Sequence, residues 1–101
     1  MTAGPGRDLS IAEIPDASGT VRFRYARYLA ETGDRWVRHG PFLAYHPDGT
    51  PASRGTYDHG REQGAWQDFH PNGQLAAEGA YDKGEKVGAW CYWLADGTPQ
   101  E

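Results

Sequence analysis

At 101 residues the chain has room for one domain with a modest core, and it is built from 38% hydrophobic residues, 13% aromatics and 14 glycines. No stretch approaches the length needed to span a bilayer, no charged segment followed by an apolar run marks a secretion signal, and a single cysteine, Cys91, excludes an intrachain disulfide. A soluble, cytoplasmic protein is expected. The net charge of −4 divides unevenly, with +1 on residues 1–39 and −5 on residues 40–101. An acidic C-terminal part argues against nucleic acid as the main partner and, less strongly, against anionic membranes.

In chain order, residues 1–20 read as a flexible leader, with Met1 to Arg7 disordered and the apolar piece Leu9 to Ile14 able to add as an edge strand. Residues 21–39 read as a divergent capping hairpin. Val21 to Ala30 alternates as a strand, Thr32-Gly33-Asp34 signals a turn, Tyr28 aligns with Tyr57 and Tyr81, and Trp36 is expected to fold over the first hairpin.

From Gly40 the chain keeps a 24-residue rhythm: units at 40–63 and 64–87 and a partial unit at 88–101. Gly40, Gly64 and Gly88 open the units, followed by Phe42, Trp66 and Trp90 in one row and Tyr45, Phe69 and Trp93 in another. Asp48-Gly49, Asn72-Gly73 and Asp96-Gly97 come next. Tyr57 with Gly60 and Tyr81 with Gly84 close the first two units. His46-Pro47-Asp48-Gly49 and His70-Pro71-Asn72-Gly73 order their residues as a type I turn with a glycine bulge requires. Asp58-His59-Gly60 and Asp82-Lys83-Gly84 are expected to use the same chemistry without proline. Each period is therefore one hairpin, and the whole is an all-β, single antiparallel meander, elongated and curved.

The pattern Gly-x-Trp-x-x-Phe-x-x-Asn-Gly, continued by Glu-x-x-Tyr-x-x-Gly-x-x-x-Gly-x-Trp, resembles the variant MORN repeat of bacterial proteins, among them antitoxin-like proteins of the YwqK type. The resemblance covers Gly40 to Gly97. It implies a repeat fold and a partner-binding role of antitoxin-like or immunity-like character.

Candidate chemistry is sparse. His46 and His70 stand one period apart and would stack on neighbouring units, yet no third ligand repeats with them, so no metal and no cofactor is expected. Asp58, Asp68, Asp82 and Glu78 form an acidic set better explained by turn capping, and Arg54 is placed to pair with Glu78. Nothing near Cys91 lowers its thiol pKa, so it reads as a small buried or edge residue. Without a nucleophile motif or phosphate loop, no enzyme and no small-molecule substrate are expected. The offset of three between the aromatic rows sends them to opposite faces of a strand. Tyr45, Phe69, Trp90, Tyr92 and Trp93 are the expected contacts for a protein partner, through an aromatic face or the open C-terminal edge. Peripheral phospholipid binding through Arg22, Arg24 and Arg27, and edge-to-edge assembly into a homo-oligomer, are the alternatives.

Overall fold

A computed structural model describes residues 8–100; the expected disorder of Met1 to Arg7 and the final residue of the repeat region lie outside the described residues. Nine strands form one antiparallel sheet, with no second layer among the described residues. They are β1 (Ser10–Pro15), β2 (Val21–Leu29), β3 (Trp36–Tyr45), β4 (Pro51–Asp58), β5 (Arg61–Glu62), β6 (Gly64–Phe69), β7 (Leu75–Asp82), β8 (Glu85–Trp93) and β9 (Pro99–Gln100). Each pairs with the next in sequence, except that β4 bonds to both β5 and β6, which together make one interrupted strand. The radius of gyration is 15.8 Å, against about 13 Å for a compact domain of this length. The elongated meander expected from the repeat is therefore present.

The two edges of the ribbon carry different turns. On one edge His46 N–H donates to Thr50 O (2.8 Å) and Gly49 N–H to His46 O (2.9 Å), the bonds of a three-residue loop with a glycine bulge. The same pair recurs at His70–Gln74 and Leu94–Thr98. It also occurs at Asp16–Thr20, ahead of any repeat legible in the sequence. On the other edge the expected turn chemistry is corrected. His59 (φ 47°) with Gly60 (φ 90°), and Lys83 (φ 53°) with Gly84 (φ 90°), take the paired positive φ values of two-residue type I′ turns. Their twist matches the flanking strands, which a type I turn would splay.

Within the leader, the edge strand expected of Leu9 to Ile14 forms, and the flexible reading of this segment is corrected. Ser10–Pro15 pairs with β2 from Ser10 opposite Arg27 to Pro15 opposite Val21, and Ala12 is buried. The outer N–H and C=O groups of β2 need partners, and this short apolar segment supplies them. Residues 21–39 form a hairpin of β2 with the start of β3, which runs on unbroken across positions 39 and 40 into the first unit. Trp36 does not fold over the hairpin; it is 49% exposed, and the Arg27 guanidinium lies 4.0 Å from its ring centroid.

A backbone irregularity recurs once per unit. Tyr25 pairs with Phe42 and Arg27 with Arg38, so β3 spends two residues more than β2 over this interval. The same excess lies between the pairs Ala80–Val87 and Glu78–Cys91, and between Tyr57–Glu62 and Arg54–Gln67. Gly40, Gly64 and Gly88 occupy these bulges with φ of 106°, 81° and 69°, values that a side chain would strain. The bulge swings the next aromatic back across the neighbouring strand. Trp66 lies flat on Gly55 and Trp90 on Gly79, where an added Cβ would meet ring carbons at 2.2 Å. The indole N–H groups then donate to Thr56 O (3.2 Å) and Ala80 O (3.1 Å).

Neighbouring units are stapled by polar bonds that follow the period. His46 Nε2 donates to Phe69 O (2.8 Å) and His70 Nε2 to Trp93 O (2.7 Å), which fixes the proton on Nε2. Arg22 Nε does the same for Tyr45 O at 2.8 Å. Positions 22, 46 and 70 are one period apart, so the array reaches back into β2 with a guanidinium in place of an imidazole. At the opposite edge Gly60 N–H donates to Arg38 O (2.8 Å) and Gly84 N–H to Glu62 O (3.0 Å).

Aspartates close three of the bulged loops. Asp48 accepts the Thr50 hydroxyl at 2.6 Å and the Thr50 amide at 2.9 Å, and the hydroxyl bond first, then the amide, lowers its pKa below 3.8. Asp96 with Thr98 and Asp16 with Ser18 shift the same way, the side-chain hydrogen bond leading in each. A folded-state pKa below the unfolded value stabilises at and above that value, and the contribution disappears as pH falls through the folded pKa. Asn72 does the same work uncharged, accepting the Gln74 amide at 2.9 Å. Replacing Asp16, Asp48 and Asp96 together by asparagine should therefore lower the urea midpoint modestly at neutral pH and leave it nearly unchanged at the acid end, where the parent carboxyls are protonated. The same variant should flatten its decline between about pH 4 and pH 2; an unaltered acid slope would show that these carboxylates do not carry it.

Candidate functional site

Strand alternation sorts the side chains onto two unlike faces. On the first, Phe23, Tyr25, Phe42, Tyr57, Trp66, Tyr81, Trp90 and Tyr92 form an unbroken chain of ring contacts with centroid separations from 5.2 to 6.4 Å. Most of these contacts are edge-on or tilted, the geometry that ring quadrupoles favour. Phe42 and Trp66 are buried in the middle, whereas Phe23 and Tyr92 towards the two ends are each 40% exposed. Burial comes from neighbouring rings, since no side chain of the sheet is completely enclosed.

Cations lie over this row. The Arg38 guanidinium is 4.7 Å from the Tyr25 centroid and 5.5 Å from those of Phe42 and Tyr57. Lys86 Nζ is 4.6 Å from Trp90 and 5.7 Å from Tyr92, and it donates to the Tyr92 hydroxyl at 3.3 Å, the bond that chiefly raises its pKa. Tyr81, between Trp66 and Trp90, has its phenol pKa raised by burial. Neither Arg38 nor Lys86 stood out in the sequence, because a cation four residues before an aromatic has no meaning until bulge geometry folds it over the ring.

The second face mixes polar pairs with a few apolar side chains, among them buried Ala26, Tyr28 and Val37. Arg54 Nε donates to Gln67 Oε1 (2.6 Å) and Gln67 Nε2 to Glu78 Oε2 (2.6 Å). The expected Arg54–Glu78 pair is thus bridged by Gln67, because β6 lies between their strands. Arg24 meets Glu13 at 3.1 Å on the same face. Asp68 is on the aromatic face, accepting the Ser53 hydroxyl at 2.6 Å, so the acidic set is dispersed.

The five expected partner contacts do not share a surface. Trp90 and Tyr92 belong to the aromatic face, while Tyr45, Phe69 and Trp93 project to the polar face, half-buried. There the Arg54 guanidinium covers Phe69 at 5.5 Å. The two rows do take opposite faces, as their spacing requires. Tyr28 does not align with Tyr57 and Tyr81; it is on the polar face against His39 and His59, and Tyr25 continues the row instead. Of the two readings of Cys91, buried or edge, the buried one is corrected: it is exposed on β8 before the short pairing with β9 begins.

His46 and His70 are committed to their staples, but a different group converges. Nitrogens of His39 and His59 and a carboxylate oxygen of Asp58 lie within 4.8 Å of one another. The sequence held one clue: 24 residues on, these positions are Gln63, Lys83 and Asp82, so only the aspartate belongs to the repeat.

Residues 38–59 and 62–83 each match the MORN repeat variant. A MORN repeat module is present. The first MORN match starts at Arg38, the cation over the rings, and the second ends at Lys83, the positive-φ residue of the second type I′ turn. The strands on either side extend the MORN sheet beyond both matches. No curated protein and no solved structure gives a match to the chain.

Proposed function

We propose that this chain is a non-enzymatic interaction module that binds a protein partner across its aromatic face. The observation that carries this reading is the unbroken row from Phe23 to Tyr92, lying on one side of a sheet with no covering layer among the described residues. Rings held rigid by their neighbours lose little conformational freedom on binding, and aromatics with arginine are the side chains that dominate interface energetics. Phe23, Trp36 and Tyr92 offer the most exposed ring area. An antitoxin-like role, with the partner held inactive on this face, is the form of the reading that the sequence resemblance favours.

The lipid alternative needs a basic patch, and the arginines expected to supply one are divided. Arg27 stacks on Trp36 on the aromatic face, Arg22 is bonded to Tyr45 O, and Arg24 is paired with Glu13 on the polar face. No helix of the described residues is long and apolar enough to cross a membrane.

The test is a combined Phe23→Ser, Trp36→Ser and Tyr92→Ser variant, used beside the parent chain in crosslinking and affinity purification from the native host. Exposed positions of this kind alter stability by less than about 1 kcal/mol each, so the variant should melt near the parent. Capture of the partner should fall at least about tenfold, the equivalent of 1.4 kcal/mol. Undiminished capture would remove the aromatic face from the interaction. Sedimentation with anionic vesicles, or self-association without a second protein, would replace the reading with one of its alternatives.

A further inference from the structure

The first type I′ turn differs from the second in a way the fold does not require. In the second, Gln63 Oε1 accepts the Lys83 amide at 2.8 Å. In the first, His39 Nδ1 accepts the His59 amide at 3.0 Å. Glutamine and lysine thus build the same turn, so the turn alone does not require histidines, although His59 also bonds the Tyr28 hydroxyl, a partner the second unit lacks. Both histidines stand beside the aspartate common to the two turns. Asp58 Oδ1 is 3.7 Å from His39 Nδ1 and 3.6 Å from His59 Nε2, and the two imidazole centroids are 4.4 Å apart.

We infer that His39, His59 and Asp58 form a binding site for a divalent late-transition-metal ion such as Zn²⁺. Donors at about 2.0–2.1 Å from a tetrahedral ion are separated by about 3.4 Å. The two oxygen–nitrogen spacings are a few tenths of an ångström wider and the two imidazole nitrogens lie within 4.8 Å of each other, differences that side-chain rotation removes. Two imidazoles and one carboxylate are the donors that ions of this class prefer, with calcium and magnesium disfavoured by the nitrogen ligands.

The surroundings hold the site in the required state. Tyr28, 7% exposed, places its hydroxyl oxygen 2.8 Å from His59 Nδ1. With that nitrogen donating to the phenol oxygen, Nε2 carries a lone pair on the side of Asp58. A ligating imidazole whose other nitrogen is anchored in this way is the usual arrangement at metal sites. Binding through His39 Nδ1 exchanges its bond from the His59 amide, a turn amide at the surface that water can then satisfy. The side chains of Asp58 and His59 are 56% and 63% exposed, so the fourth position is open to solvent. Arg61 and Lys83 border the same depression as Asp58 and His59, which favours an anion or hydroxide there over a second cation. An ion at this point ties β2, β3 and the β4–β5 turn together.

The test uses the full chain carrying Cys91→Ser, titrated with Zn²⁺ by calorimetry and followed by NMR of the histidine rings. One equivalent should bind, shifting the resonances of His39 and His59 while those of His46 and His70 stay in place. The combined His39→Gln and His59→Lys variant copies the second turn, so it should fold, and it should melt somewhat below the metal-free parent because the Tyr28 hydroxyl loses its bond to His59. Its zinc affinity should fall by at least about a hundredfold, and Tyr28→Phe should weaken binding by about tenfold. If the double variant fails to fold, Asp58→Asn, which leaves both rings in place, takes its place and should also lose most of the affinity. Absence of saturable uptake, uptake unchanged in these variants, or shifts confined to His46 and His70 would overturn the site.

Discussion

Gly55→Ala is expected to cost about 3–5 kcal/mol, the scale of losing a buried tryptophan from a core, out of a total stability of about 5–15 kcal/mol for a domain of this size. An added Cβ at residue 55 would lie 2.2 Å from two carbons of the Trp66 indole. No rotamer adjustment absorbs such an overlap, so the ring must leave the sheet. It would give up its N–H bond to Thr56 O and its contacts with Phe42, Tyr57 and Tyr81. Gly79→Ala displaces Trp90 by the same geometry but should cost less, because Trp90 is only half-buried. Gly49→Ala separates steric overlap from backbone strain. Its φ is +88° and nothing lies within 4 Å of the added methyl, so only the left-handed penalty of about 1–2 kcal/mol applies. Urea titrations followed by tryptophan fluorescence rank the three, and a Gly55→Ala midpoint no lower than that of Gly49→Ala would show that the ring does not rest on the backbone.

Trp66→Ala should destabilise by a similar 3–5 kcal/mol, since Trp66 is 8% exposed and joins the first repeat to the second. Stability in a stacked array is a sum over units and their interfaces, so this one loss uncouples two halves that are each marginal alone. Trp66→Phe should cost only about 1–2 kcal/mol. It keeps a ring over Gly55, and Thr56 O retains its bond from the Gln63 amide at 2.9 Å. Tyr92→Ala, at a 40% exposed position, should cost less than about 1 kcal/mol. The sharpest form of the experiment is the double variant. Once the indole is gone, the methyl of Gly55→Ala has nothing to strike, so the two losses should be far from additive. Additive losses measured by calorimetric or urea unfolding would mean that the pair does not interact.

The hairpins were legible because their causes are local. Pro47, Asp48 and Gly49 specify a loop through their own φ preferences, and the 24-residue recurrence of those residues signals an array. The assignment of the two aromatic rows to opposite faces followed from strand alternation alone. Local chemistry failed where two turns share residue types but differ in length: Asp58-His59-Gly60 looks like another bulged loop, and only strand twist selects type I′. The leader was legible only as a possibility: the apolar piece Leu9 to Ile14 could add as an edge strand, and the edge that β2 presents decides that Ser10–Pro15 does.

The candidate sites divide along the same line. Trp90 could be named from its repeat position and Tyr92 from the aromatic last strand, but the cations above the rings depend on the bulges at Gly40 and Gly88, which move residues by more than a register step. His39 and His59, 20 residues apart, meet only when the Asp58 turn folds back onto β3. By itself, then, the order of residues determined the period, the all-β class, the loop chemistry and the two-faced strands, all of which arise from interactions within a few positions. Tertiary structure alone decided which aromatics face which way past each bulge, which cations cover them, and which histidines converge. Those outcomes depend on the register between strands, and register is a property of pairs of segments that no single segment encodes.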